Sequence, residues 1–452
     1  MALGGAMSGQ VDIAGLSADG SLVAVEHAEH GDLIHPALRI IDPRTGAVVG
    51  ERHDEGLALL ATAWSPLVGD PRLAVVHERG DRERPAIWNL ADDTWADLDV
   101  DVRGDARILD WWPDASAVLV HHAFEGRHEL YRHDLGTGDA SRIHTPAGTI
   151  DDARVRPDGT VWFLQADAVH RQRVLDDLGA EPIAVPGEPA PPGRAFTPWR
   201  FTNRSGQPVH GFTVEPEGAG PWPVMMFVHG GPHWLYEDRY IPEVQAYVDA
   251  GLLVGIVNYR GSTGYGRAWR DALTGDVGFT DVDDVTDGLD DLVARGMADA
   301  SRTVVGGWSW GGYITLMEVG REPGRWIAGV AGVPVGDYVM AYRDEAPSLQ
   351  AMDRALMGGS PDDVRERYDR GNPIAYVDQV RAPVLFVIGD NDSRCPLDQA
   401  LAYVDRMADL GKPNQVYRFT TGHGSNDLDE EIRQQRVILE FLHEHVPGLS
   451  DV

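Results

Sequence analysis

The chain has 452 residues, 43% of them hydrophobic, enough to bury substantial cores in about two or three domains. Its 71 acidic against 39 basic residues give a formal net charge of -32, which argues against nucleic acid or an anionic membrane as a partner. The single cysteine, Cys395, excludes an internal disulfide, no apolar run is long enough to span a bilayer, and Met1–Met7 lacks the charged and apolar parts of a leader; the expectation is a cytoplasmic protein.

The N-terminal part reads as short strands separated by turns, in a quasi-repeat on the order of 45 residues. Leu16-Ser17-Ala18-Asp19-Gly20 leads into Leu22-Val23-Ala24-Val25 and then Leu38-Arg39-Ile40-Ile41-Asp42. The same succession recurs at Trp64-Ser65-Pro66 with Leu73–Val76 and Ile87-Trp88-Asn89, and again at Trp112-Pro113-Asp114 with Ala117–Val120 and Leu130–Asp134. A fourth copy starts at Arg156-Pro157-Asp158-Gly159 and runs through Val161–Leu164. Each copy is expected to be one propeller blade of about four strands. His121-His122 continues an alternating strand pattern, which favours strand residues over metal ligands. Pro186 to Pro198, rich in Pro and Gly, reads as a linker, so the expected domains are residues 1–190, an all-β region of about four blades, and residues 191–452.

In the second domain, Val224–Val228 is an apolar strand running into His229-Gly230-Gly231-Pro232, where glycines let the backbone approach a ligand. Further on, Asp281–Gly288 looks superficially like a calcium loop but lacks the terminal glutamate; Val282, Val285, Leu289 and Leu292 recur instead at helical spacing, and no metal is expected. Thr303-Val304-Val305 then leads to Gly307-Trp308-Ser309-Trp310-Gly311, a G-x-S-x-G turn that holds a serine in a sharp strand-to-helix bend with its hydroxyl outward. A serine needs a histidine base and an orienting carboxylate, in the chain order Ser, Asp, His. Ala382–Gly389 reads as a buried parallel strand followed by Asp390-Asn391-Asp392, and Gln415–Phe419 as a strand followed by Gly422-His423-Gly424. Ser309 and His423 are thus the nucleophile and base, with an aspartate of the 390–392 loop between them in sequence. The backbone N–H groups of Gly231 and Trp310 are the expected oxyanion donors.

Taken together with Asn258-Tyr259-Arg260-Gly261-Ser262 and Asn391-Asp392-Ser393-Arg394, these five ordered motifs resemble the prolyl oligopeptidase family of serine peptidases, especially its acylaminoacyl-peptidase and dipeptidyl-aminopeptidase-like bacterial branch. The resemblance runs from near Thr197 to the C-terminus and implies an α/β-hydrolase catalytic domain, a mostly parallel sheet with helices on both faces. It selects Asp392, two residues before the arginine, over Asp390 as the triad carboxylate. By the same carry-over, Arg394 would bind a substrate carbonyl, and Val335 and Tyr338 would line the pocket for the residue before the scissile bond. His229 stands where prolyl oligopeptidase itself has a tyrosine, which argues against a strict post-proline endopeptidase. The family usually carries about seven blades, so four point to a compact variant or to missing upstream sequence; an open arc of blades would need its edges covered, for instance in a homo-oligomer.

The expected activity is cleavage of short peptides or aminoacyl amides through an acyl-enzyme, aminopeptidase- or acylaminoacyl-peptidase-like, with no cofactor. An esterase or small-amide hydrolase uses the same constellation, and an inactive binding module would keep the fold without the chemistry.

Overall fold

A computed structural model describes residues 11–30, 32–184 and 190–450. Met1–Met7 and residues 186–189 of the expected linker lie outside the described residues. The chain divides into two compact units: Met1–Gly193 with Glu237–Tyr240 and Gly264–Ala268, and Arg194–Tyr236 with Ile241–Thr263 and Trp269–Val452.

The first unit is built of antiparallel sheets that follow the repeat. β1 (Val11–Leu16), β2 (Val23–His27), β3 (Ala37–Ile41) and β4 (Val48–Arg52) pair in sequence order. So do β5 (Leu59–Trp64), β6 (Arg72–Gly80), β7 (Arg82–Asn89) and β8 (Thr94–Asp97), and then β9 (Asp105–Trp111), β10 (Ala117–Phe124), β11 (Arg127–Asp134) and β12 (Ala140–Ile143). The side-chain period of two sends alternate residues of one strand to opposite faces, so a central strand serves two cores. In β6, Leu73 and Val75 pack with Leu38 and Ile40 of the sheet before, while Ala74 packs with Ile108 and Val118 of the sheet after. In β10, Leu119 likewise leaves Val118 and Val120 and joins Ile150 and Phe163 of the following sheet. His121 and His122 are buried residues of this strand.

The fourth copy departs from the expected four strands. Among the described residues it consists of β13 (Thr149–Val155), β14 (Val161–Ala166) and β15 (Arg173–Asp176), with an isolated bridge between Val174 and Ile183 beyond them. The expected linker also ends earlier than its prolines suggest, because Thr197 and Pro198 open β16 (Thr197–Thr202) at the sheet edge, a place that tolerates the missing N–H of a proline.

The second unit holds one eight-stranded sheet, in the order β16, β17 (Pro208–Val214), β19 (Leu253–Val257), β18 (Trp222–Val228), β20 (Ala298–Trp308), β21 (Ala328–Gly332), β22 (Val384–Gly389) and β23 (Asn414–Phe419). The first two are antiparallel additions, and the six from β19 to β23 run parallel. Continuous burial along β18, β19 and β22 is what a sheet covered on both faces requires. This is the α/β-hydrolase arrangement. Because the strands are parallel, the loops after β18, β20, β21, β22 and β23 all leave from one edge, where open α/β sheets bind their ligands.

Thr280–Ala294 is a helix and not an ion-binding loop, with Val282, Val285, Leu289 and Leu292 buried as the periodicity requires. Asp281 and Asp284 are buried with them. Asp284 accepts from the Arg260 backbone N–H at 2.8 Å and from the Arg260 guanidinium at 2.8 Å, so the Asn-Tyr-Arg-Gly-Ser motif is tied to this helix by a bidentate, charge-assisted pair.

Candidate active site

Ser309 lies between β20 and the helix Trp310–Arg321 with φ 59° and ψ -115°, a strained conformation for a residue with a side chain. The bend closes only because its neighbours lack one: a Cβ on Gly307 would sit 2.3 Å from the Val228 carbonyl oxygen, and one on Gly311 would sit 2.2 Å from the same atom. The elbow is therefore pressed against the end of β18, and the loop that follows β18 crosses it. A Cβ on Gly230 would meet the Trp308 carbonyl at 3.0 Å, Ser309 Cβ at 3.4 Å and the Trp310 nitrogen at 3.9 Å. Gly231 follows at φ 123°, a conformation reserved for glycine. Trp310 is the first residue of its helix, so its N–H has no intrahelical acceptor and remains available to an oxyanion.

His229 anchors this loop. Its ring nitrogens contact the Gly230 carbonyl at 2.7 Å and the Ser262 hydroxyl at 2.8 Å, and the ring stacks on Tyr259 with centroids 4.2 Å apart. Burial pushes its pKa down to about 4, so it stays neutral at working pH.

Across the same sheet edge, Asp392 is fully buried and its carboxylate is saturated. Oδ1 accepts the backbone N–H groups of Arg394 at 2.8 Å and Cys395 at 3.0 Å, and Oδ2 accepts from His423 Nδ1 at 2.7 Å. This bond fixes the His423 tautomer with Nε2 free to take a proton. Asp390 is engaged elsewhere, in an ion pair with Arg418 at 2.7 Å. No hydrogen bond joins Ser309 to His423; the Cys395 sulfur lies within 4.8 Å of the ligand atoms of Asp392 and His423. Burial first, and the Asp392 charge next, push the Cys395 thiol up, so the sulfur stays protonated. Nucleophile–base hydrogen bonds of this kind often tighten only when substrate is bound.

The prolyl oligopeptidase family model matches residues 239–448. The chain carries a prolyl oligopeptidase family domain. Among curated relatives, it is 31% identical over 224 residues to "Uncharacterized peptidase YuxL" of Bacillus subtilis, covering 49% of this chain and 34% of that one. It is 29% identical over 221 residues to "Acylamino-acid-releasing enzyme 1" of Oryza sativa subsp. japonica, covering 47% and 28%. The matches thus cover about a third or less of these relatives' own length. Among solved structures, a puromycin-hydrolyzing peptidase of Mycobacterium tuberculosis superposes with a TM-score of 0.84 at 22% identity, covering 97% of this chain and 70% of the other. Dipeptidyl peptidase 4 of Porphyromonas gingivalis gives 0.78 at 18% identity, covering 94% and 62%. These likenesses establish the fold, a propeller-type region and an α/β hydrolase.

Within this prolyl oligopeptidase domain, Arg394 is exposed and its guanidinium makes no hydrogen bond or ion pair among the described residues. Val335 is buried just past the end of β21, and Tyr338 packs edge-on against Trp310 with centroids 6.1 Å apart. Sequence reasoning missed the carboxylates behind this wall. Asp281 accepts the Trp310 indole N–H at 3.0 Å, and burial pushes its pKa up to about 7. Asp353 accepts the Tyr338 hydroxyl at 3.0 Å and lies against Glu345; burial pushes both of these acids up, and the Asp353 charge adds to the rise at Glu345. Both also contribute to the field at Cys395. Only the aspartate's place in the Thr280–Ala294 helix could have signalled Asp281, since it falls beside Val282 on the edge of the apolar face.

Proposed function

We propose that this protein is a serine peptidase that cleaves short peptides or aminoacyl amides through an acyl-enzyme, with Ser309, Asp392 and His423 as its triad. The observation that carries this reading is the buried Asp392–His423 bond on the sheet edge that also bears the strained Ser309 elbow. Ser309 Oγ attacks the scissile carbonyl while His423 Nε2 takes its proton; the oxyanion is met by the N–H groups of Gly231 and Trp310. Collapse of the tetrahedral species returns that proton to the leaving amine, and water repeats the sequence on the ester. Asp392 stays ionised and holds the imidazole. Arg394 would grip a substrate carbonyl, and Val335 and Tyr338 would line the apolar wall beside the scissile bond.

The names of the relatives, one releasing acylated amino acids and one hydrolysing puromycin, support an exopeptidase-like action on small amides. Residues 191–452 would be the catalytic domain, in the cytoplasm. Covalent labelling by a fluorophosphonate probe, lost in Ser309→Ala, tests the enzyme against the inactive-module reading. A matched peptidyl anilide and acyl ester test peptidase against esterase: negligible turnover of the anilide beside fast turnover of the ester would overturn the peptidase assignment.

A further inference from the structure

In the first unit, four side chains with metal-ligating atoms gather at one end of the β1–β4 sheet. His27 ends β2, His30 lies three residues on in the connection to β3, and Glu51 and His53 sit at the end of β4, two residues apart and so on one side of the chain. His27 Nε2, His30 Nε2 and a Glu51 oxygen lie within 4.8 Å of one another. His27 Nε2 is 3.6 Å from Glu51 Oε1, and His30 Nε2 is 2.5 Å from the same oxygen. His53 stacks on His30 with centroids 4.5 Å apart.

The feature that singles out this cluster is His27. The residue is 1% exposed, and its Nε2 is buried without a hydrogen-bond partner among the described residues while directed at the other donors. A buried polar atom without a partner is costly, and a cation would supply one. Burial also lowers the His27 pKa, which keeps the ring neutral as a ligand must be, and Arg39 holds Glu51 ionised with its pKa down at about 2.

We infer that His27, His30 and Glu51 form a site for a borderline divalent cation of the zinc class, with His53 placed to join or to close it. Two imidazoles and one carboxylate suit zinc, whereas calcium and magnesium prefer all-oxygen shells. Ligand atoms at about 2.0–2.1 Å from a tetrahedral zinc stand roughly 3.3 Å apart. The His27–Glu51 separation is already near that, and His30, exposed at 40%, can swing away from Glu51 by the difference. Binding at Nε2 moves the His27 ring proton to Nδ1 and gives up the long 3.3 Å contact from the Glu29 N–H. The Arg39 guanidinium, which bonds both Glu51 oxygens, opposes the cation, and Glu29 and Glu51 offset it. Occupancy would tie the β2–β3 connection to β4, a strand with no buried side chain of its own.

The test is a titration of the chelator-stripped full-length protein with Zn²⁺ alone against a chromogenic chelator. The wild type is expected to take up one tight equivalent, His30→Ala to lose it or to bind roughly 10–100-fold more weakly, and His423→Ala to retain it. Retention of full affinity in His30→Ala would overturn the site, as would a wild type that takes up no zinc. X-ray absorption at the zinc edge of the loaded wild type serves where a variant folds poorly. Imidazole and oxygen scatterers without sulfur are expected; a sulfur ligand would place the ion on Cys395, whose Asp392 and His423 neighbours are the other set of donors this close among the described residues.

Discussion

Ser309 and Asp392 can each be tested by a single change. Ser309→Ala is expected to abolish turnover and probe labelling, and Asp392→Asn to lower kcat by roughly 10⁴-fold with the fold intact, because an amide in place of the carboxylate selects the wrong histidine tautomer. Asp390→Asn is the control: its carboxylate serves Arg418, so turnover should change little. A crippled Asp390→Asn with a near-silent Asp392→Asn, measured on one anilide substrate, would reverse the assignment. Arg394 has planar donors with nothing to hold among the described residues, a suitable state for a substrate carbonyl. Arg394→Ala should raise KM for peptides and spare small activated esters that present no second carbonyl. Equal loss on both would mark the residue as structural.

The elements that carry these residues set the next expectations. The helix after Ser309 can approach β18 only through Gly311, so Gly311→Ala must displace the Val228 carbonyl or the helix itself. A loss of about 1–3 kcal/mol in urea unfolding is expected, together with most of the activity, because the loop proposed to supply an oxyanion donor follows Val228 directly. The same helix buries Glu318, which accepts from the Thr286 hydroxyl at 3.0 Å and from the Trp326 indole at 3.2 Å. Burial raises its pKa to about 8, well above the ordinary range of a glutamate. The folded state therefore keeps a proton that the unfolded chain releases in this window, and the contribution of Glu318 is greatest below pH ~4.5 and lost as pH rises through about 8. Glu318→Gln should raise Tm by a few degrees at pH 8 and by much less at pH ~5, read from melts of both proteins. An equal shift at both pH values would show that the carboxyl is not protonated in the native state.

For the molecule as a whole, the expectation concerns substrate size. Ser309 lies in a tight strand-to-helix bend, which an extended substrate segment reaches more readily than a folded one. The measurement is kcat/KM over one peptide series of increasing length, with free and acetylated N-termini, beside unfolded casein. Efficiency should fall with length and favour the free amine. Undiminished cleavage of long chains would remove the size gate, and preference for acetylated peptides would favour acylaminoacyl release over aminopeptidase action.

Much of the architecture is legible in the sequence because it rests on local rules. Period-two alternation with turn residues fixes the blade strands, a continuous apolar run marks β22, and the glycines around Ser309 mark a bend that few other residues can make. The failures have physical causes as well. The fourth copy shows the same opening turn as the others, but pairing of a last strand depends on partners that local pattern does not encode. The aspartates of the Thr280–Ala294 helix look like solvated first-turn charges until Arg260 and Trp310 arrive from elsewhere in the chain to bury them. Sequence by itself placed Ser309, the aspartates of the 390–392 loop and His423 in order at turns and strand ends, since strand ends and glycine turns are written in short windows, and the family resemblance pointed to Asp392. The tertiary structure showed that Asp392 and not Asp390 bonds His423, and it alone brought His27, His30 and Glu51 to one corner, because those outcomes depend on side chains brought together by long-range packing.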